Sequence, residues 1–226
     1  QSQINPHFLY NALECIRGQA LIEGAEDIAD IAEELSSFFR YSISNKGDMV
    51  TLDDELENVK SYVNIQKFRF KNKFSFNVQF DEEAERKKTG SIVMPKLVLQ
   101  PIVENAIIHG IEETENDATI YIKAVCRDED YEIEITDSGQ GMDENQVGLL
   151  KKKVSGEIEV SGGSGNGIGL KNVQDRIHIR FGESFGLHFA SKEGCFTKVS
   201  IRLPYTHREA VGNLNGSHEN GLFHER

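Results

Sequence analysis

Gly165-Asn166-Gly167-Ile168-Gly169-Leu170 is a glycine run that leads straight into a helical pattern over residues 168–180. The first N–H groups of a helix lack partners within it, and the helix dipole adds positive character there, so both point at an anion placed in front. The run therefore reads as a phosphate cradle. It is not a Walker loop, since no Gly-Lys-Ser/Thr follows, nor a dinucleotide fingerprint, since no βαβ unit surrounds it. Two further motifs lie upstream. Glu104-Asn105-Ala106-Ile107-Ile108-His109-Gly110 closes a helical pattern over 96–109, and Asp137-Ser138-Gly139-Gln140-Gly141-Met142 follows an alternating strand at 131–136. Taken singly, a glycine cluster is ordinarily a turn, and Asp-Ser-Gly after a strand is ordinarily its terminating turn. Taken together, they supply the parts of a nucleotide pocket. The Asn105 amide oxygen suits magnesium as a neutral ligand, with a buried amide bonded to the backbone as the alternative. Asp137 can accept a hydrogen bond from an exocyclic amine, and Gly139 and Gly141 leave room for a ring, with a turn or cap as the alternative.

Outward from these motifs the chain alternates between strand and helix signals. Phe74-Ser-Phe-Asn-Val-Gln-Phe80 alternates strictly, and 119–125, 186–190 and 197–203 read as further strands. Thr51 reads as an N-cap followed by Asp53, Asp54 and Glu55, opening a helix to about Phe70. The expected architecture is α+β, with an α/β sandwich formed by a mixed sheet covered on one face. Ahead of it, Ile4, Phe8, Ala12, Leu13, Ile16 and Ala20 share one side of a helix, while His7, Asn11, Glu14 and Gly18 share the other. A second amphipathic stretch from Ile28 to Ser42 follows. Two such helices form an antiparallel hairpin, whose uncovered stripes call for a four-helix bundle with a second copy. The division is 1–48 for the hairpin, 49–204 for the sandwich and 205–226 for a polar, disordered tail.

The 226 residues carry a formal net charge of -12, which gives no general attraction to nucleic acid or to an anionic membrane surface. Cys15, Cys126 and Cys195 are isolated singletons, unsuited to a zinc site or a disulfide framework. Polar residues and prolines interrupt the longest apolar stretch, 92–111, so it is not read as a membrane span. The opening residues are not read as a signal peptide, and the expectation is the cytoplasmic part of a larger protein.

The Asn105, Asp137 and Gly165 motifs, in this order, resemble the ATP site of the superfamily of gyrase, a heat-shock chaperone, histidine kinases and mismatch-repair ATPases, known as the Bergerat fold. Gln3-Ile-Asn-Pro-His-Phe-Leu-Tyr-Asn11 resembles the phosphoacceptor box of bacterial sensor kinases of the autolysin-sensor and YesM-like family. Ser61-Tyr-Val-Asn-Ile-Gln-Lys-Phe-Arg-Phe70 and Thr197-Lys-Val-Ser-Ile-Arg-Leu-Pro204 resemble it too. The resemblance implies ATP and Mg2+, with Asn105 holding the metal, Asp137 reading adenine and Thr197 supporting Asp137. His109, Gly139, Gly141, Met142, Gly165, Gly167, Ile168, Gly169 and Leu170 would complete the nucleotide site, with a mobile lid between Met142 and Gly165 and Lys151, Lys152 and Lys153 as phosphate contacts or a solvated run. His7 would be the phosphoacceptor, and an imidazole lone pair needs no strong base to attack phosphorus. Pro6 would kink a helix that begins before it. Asn11 is the candidate for a phosphatase role, with a surface amide as the alternative. Phe8 stands where other subfamilies place an acid, which leaves Glu104 as the candidate base, and Ile108 stands where relatives often have Lys. The resemblance further implies a homodimer, a response-regulator receiver domain as partner and a membrane anchor upstream. An ATP-hydrolysing clamp and a degenerate scaffold are the alternatives.

Overall fold

The computed structural model describes residues 6–44, 47–71, 73–80, 92–110, 118–126, 130–158 and 167–205. Helices α1 (Pro6–Ile22) and α2 (Glu26–Ile43) turn back on each other through Gly24, whose φ of 71° suits a residue without a Cβ. Leu13 and Ala20 of α1 are buried, as are Ala29, Ala32 and Ser36 of α2. The apolar stripe expected along α1 is divided, because Phe8 and Ile16 remain exposed, along with Leu21, Ile22 and Ile28. Helix α1 begins at Pro6 among the described residues, so the expected kink lies outside them.

Strand β1 (Met49–Thr51) leads into α3 (Leu52–Arg69). Thr51 caps α3 as expected: its hydroxyl accepts the Asp54 N–H at 3.1 Å while the Asp54 carboxylate accepts the Thr51 N–H at 3.0 Å. Then come β2 (Phe74–Phe80), β3 (Val93–Pro95), α4 (Leu99–Gly110), β4 (Ala118–Cys126), β5 (Asp130–Asp137), α5 (Glu144–Ser155), α6 (Ile168–Phe181), β6 (Gly186–Lys192) and β7 (Phe196–Pro204). The main sheet has the order β2-β4-β5-β7-β6, with β2 parallel to β4 and every other pair antiparallel. A separate ladder pairs β1 with β3.

The sheet turns Ile120, Ile122, Ile133, Ile135, Val199 and Ile201 toward the helices, where they meet Leu56 and Val63 of α3, Ile102 and Ile107 of α4, and Val173 and Ile177 of α6. The alternate positions carry polar pairs such as Lys198 with Glu134 at 2.8 Å. One covered face and one wet face make the expected sandwich.

Four elements depart from the sequence reading. Helix α4 starts at Leu99 rather than at Lys96, because Pro101 in a longer helix would clash with the Leu97 carbonyl, whereas in the first turn its missing N–H costs nothing. Lys96 and Leu97 form a turn instead, with Leu97 at a φ of 60°. Helix α5 occupies part of the expected lid, and β1 and β3, at three residues each, are too short to show a period.

Candidate functional site

A cavity of about 340 Å³ lies between the inner sheet face and helices α4, α5 and α6. Asn105 and His109 of α4, Asp137 at the end of β5, Gly141 and Met142 after it, Gly167 and Leu170 at the start of α6, and Thr197 of β7 all line it. These residues come from separated stretches of sequence, and the topology brings them to one place. Ile102, Ile135, Leu149, Leu150 and Val199 make the walls apolar, while Gln140, Gln146 and Lys153 add polar groups. A slot of this kind suits a flat ring, with a few polar atoms to fix its orientation.

Asp137 is 5% exposed. The N–H of Gly139 donates to its Oδ1 at 3.0 Å, and the strand register sets Thr197 opposite. Burial pushes its pKa up to about 6, against the opposing pull of the Gly139 and Thr197 N–H groups and of nearby His109. The end of α4 approaches closely, since a Cβ on Gly110 would stand 2.7 Å from Asp137 Oδ1. A Cβ on Gly139 would overlap the Gly110 backbone, and one on Gly141 would overlap the Lys192 carbonyl. The room these two glycines provide is thus filled by the protein's own backbone rather than left for a ring.

Asn105, which lines the cavity, donates from Nδ2 to the Pro101 carbonyl at 2.9 Å, and that acceptor requires the amide nitrogen, which leaves the side-chain oxygen to accept. Gly167 caps α6 at a φ of 107° and has no side chain to offer the helix's first N–H groups. Gly165 lies outside the described residues. Gly139, Ile168 and Gly169 stand beside the cavity lining rather than in it; a Cβ on Gly169 would stand 3.5 Å from Pro101 Cβ. Glu104 is half-buried on α4 and likewise outside the lining. Of the three lysines, Lys153 lines the cavity, whereas Lys151 and Lys152 are exposed.

The sequence reading missed the contribution of α5. The signal was present: Asp143 accepts from the Gln146 N–H at 2.8 Å and the Gln146 side chain accepts from the Asp143 N–H at 2.9 Å, a capping box readable as Asp-x-x-Gln. Gly156 ends the helix in a left-handed conformation at a φ of 80°. Ser191 was missed as well. Its hydroxyl accepts the Met142 N–H at 2.7 Å, donates to the Phe196 carbonyl at 2.7 Å and lies 3.2 Å from Thr197 Oγ1, so it ties the loop after Asp137 to β7.

His7 is exposed on α1, with the Asn11 amide nitrogen 3.3 Å from its Nδ1. Neither residue lines the cavity. The structure therefore groups Asn11 with His7 and keeps both apart from the Asn105 and Asp137 cluster.

Residues 90–207 match the family model described as histidine kinase-, DNA gyrase B- and HSP90-like ATPase. The chain belongs to this family. Residues 1–74 match the histidine kinase model, as the box around His7 led one to expect. Among similar proteins are sensor histidine kinase YesM of Bacillus subtilis, 37% identical over 90% of this chain and 32% of its own length, and sensor protein LytS of Streptococcus mutans, 33% identical over 91% and 33%. Sensor histidine kinase BtsS of Escherichia coli is 30% identical over 90% of this chain and 32% of its own. The chain thus spans about a third of the length of these relatives. The catalytic domain of histidine kinase ThkA shares the fold at a TM-score of 0.50 and 16% identity, over 70% of this chain and 97% of that one. Among the described residues no helix is long and apolar enough to cross a membrane.

Proposed function

We propose that this chain is the ATP-binding, self-phosphorylating core of a sensor histidine kinase in a two-component system. The observation that carries the reading is the cavity in which Asp137, Asn105 and the start of α6 converge, in a chain that also presents His7 on an exposed helix face. Asp137 accepts from the adenine amine, held in place by Gly139 and Thr197. The apolar walls receive the ring, and Lys153 and the first N–H groups of α6 meet the phosphates. Asn105 would hold magnesium through its side-chain oxygen, and the ion would offset phosphate charge.

The transfer itself is an in-line displacement. A ring nitrogen of His7 attacks the γ-phosphorus, the bond to the β–γ bridging oxygen breaks, ADP leaves, and the imidazole gives up its remaining N–H proton to a base or to water. Glu104 is the candidate for that base. Asn11, in contact with Nδ1, influences which ring nitrogen carries the proton, and it is the candidate to position water for dephosphorylating a partner. The phosphoryl group then passes to an aspartate of a response-regulator receiver domain. Residues 1–48 form the dimerising and phosphoacceptor unit and 49–204 the catalytic unit. The exposed Phe8, Ile16, Leu21 and Ile22 support pairing with a second copy. The segment works on the cytoplasmic side of a membrane-anchored sensor.

The test is phosphate incorporation from γ-labelled Mg-ATP into this chain and into His7→Gln. Acid-labile, base-stable label in the first and none in the second is the expected result. Free phosphate released without labelled protein would favour the ATP-hydrolysing clamp.

A further inference from the structure

Glu55 is a carboxylate with no exposed surface, on a helix that does not touch the nucleotide cavity. Placing such a group away from water costs several kcal/mol unless its oxygens find donors. They find four. The N–H of Leu97 donates to Oε1 at 2.6 Å, and those of Val98 and Leu99 donate to Oε2 at 2.9 Å each, so Glu55 caps the start of α4 from outside that helix. The fourth donor comes from the hairpin: the Tyr41 hydroxyl of α2 reaches Oε1 at 2.5 Å.

The turn that Glu55 holds is gripped from other sides too. Lys96 Nζ donates to the Ser44 carbonyl at 2.8 Å and to Ser44 Oγ at 3.1 Å, just past the end of α2, and lies 5.0 Å from the centre of the Tyr41 ring. From α6, Arg176 donates to the Lys96 carbonyl and, at 3.1 Å, to that of Leu97. Leu97 keeps a left-handed φ of 60°, a conformation that a residue with a branched side chain adopts only under such constraint. Four helices thus meet at one turn: α2 from the hairpin, α3 carrying Glu55, and α4 and α6, which carry Asn105 and Gly167 at the cavity.

We propose that Glu55 is a positioning residue for phosphoryl transfer: with Tyr41 it fixes the nucleotide helix α4 to hairpin helix α2, and so sets how the ATP cavity is oriented relative to His7. The inference rests on the kinase reading above. It separates two parts of the link. Glu55 caps α4 whether or not α2 is attached, whereas the Tyr41 hydroxyl contributes only the attachment. Removing that hydroxyl should spare nucleotide binding and harm transfer, while altering the carboxylate should harm both.

The experiment uses the 226-residue chain with Mg-ATP and three variants: Tyr41→Phe, Glu55→Gln and, as a control on the same helix, Ser42→Ala, whose hydroxyl bonds to the Phe38 carbonyl one turn back. ATP dissociation constants, initial rates of protein labelling at saturating ATP, and melting curves are measured for each. Tyr41→Phe is expected to lower the saturating rate at least threefold with the dissociation constant within twofold of wild type. Glu55→Gln is expected to lower the rate tenfold or more and to raise the dissociation constant at least threefold, with Ser42→Ala close to wild type in both. A Tyr41→Phe rate equal to or above wild type, or a loss that only tracks the folded fraction, would overturn the proposal even if Glu55→Gln fails to fold. Wild-type chain that takes up no label would instead sink the kinase reading, and this inference with it.

Discussion

The sheet and the hairpin bury their apolar residues to very different degrees. In the sheet, Ile120, Ile122, Ile133 and Ile135 are at most 1% exposed, and helices from the same chain cover them. In the hairpin, Ile22 is 81% exposed and Phe8 70%, and the buried contacts between α1 and α2 are made largely by small residues such as Ala20, Ala29 and Ala32. The sheet unit is therefore complete within one chain. The hairpin leaves apolar side chains uncovered, and much of its stability must come from outside it, from α3 below or from the second copy proposed above. A chain built this way can keep its cavity intact while what covers the hairpin changes.

The contrast can be broken by mutation. Ile133→Ala removes a fully buried branched side chain from the sheet and should cost about 3–4 kcal/mol in urea denaturation, with the same value at high and low protein concentration. A loss below about 1 kcal/mol would mean that the sheet core is looser than its burial implies.

The next effect is smaller and acts at the cavity. Because burial raises the Asp137 pKa to about 6, from an ordinary value near 3.9, the folded chain binds this proton more tightly than the unfolded one. The associated stability is fully present below about pH 4 and is lost as pH rises through about 6. Over that window the shift is worth about 2–3 kcal/mol. Asp137→Asn should therefore be more stable than wild type at pH 8, by up to this amount, while binding ATP at least tenfold more weakly. A variant that is less stable at pH 8 would contradict the link between burial and titration. The same pKa predicts that wild-type ATP affinity declines as pH falls below about 6.

The smallest change in chain stability should accompany the largest change in mass. Ile22→Glu alters a side chain that is 81% exposed, so the single chain should lose no more than about 0.5 kcal/mol. If the hairpin pairs with a second copy, sedimentation should nevertheless show the mass fall by half. An unchanged mass would leave the exposed stripe without its proposed partner.

Legibility in the sequence followed the same division between regular pattern and contact. Strict alternation marked Phe74–Phe80 with the bounds the structure gives it, and Thr51 marked the start of α3 through its capping chemistry. Asn105 and Asp137 were readable because their motifs set an amide on a helix and a carboxylate at a strand end ahead of glycine, whereas Thr197 came only from the family resemblance. Helix α5 was obscured by the glycines around it, although Asp143 and Gln146 marked its start. Ser191 and Glu55 could not have been found. Each is an ordinary residue type on a regular element, and each matters through a partner far away in sequence, Met142 for one and Leu97 for the other.

The parallel pair among the described strands bears on the order of events in time. Strands β4 and β5, and likewise β6 and β7, are neighbours in the chain and can pair as soon as a short turn closes. Strand β2 ends at Phe80 and must wait for β4, which begins only at Ala118, with all of α4 in between. Closing that connection carries a larger entropic cost than closing either hairpin, as does the still longer one between β5 and β7, so β2 should join the sheet only after the hairpins have formed. Until it does, the outer edge of β4 is open, and a newly made chain would be exposed to pairing with the wrong strand of a neighbour.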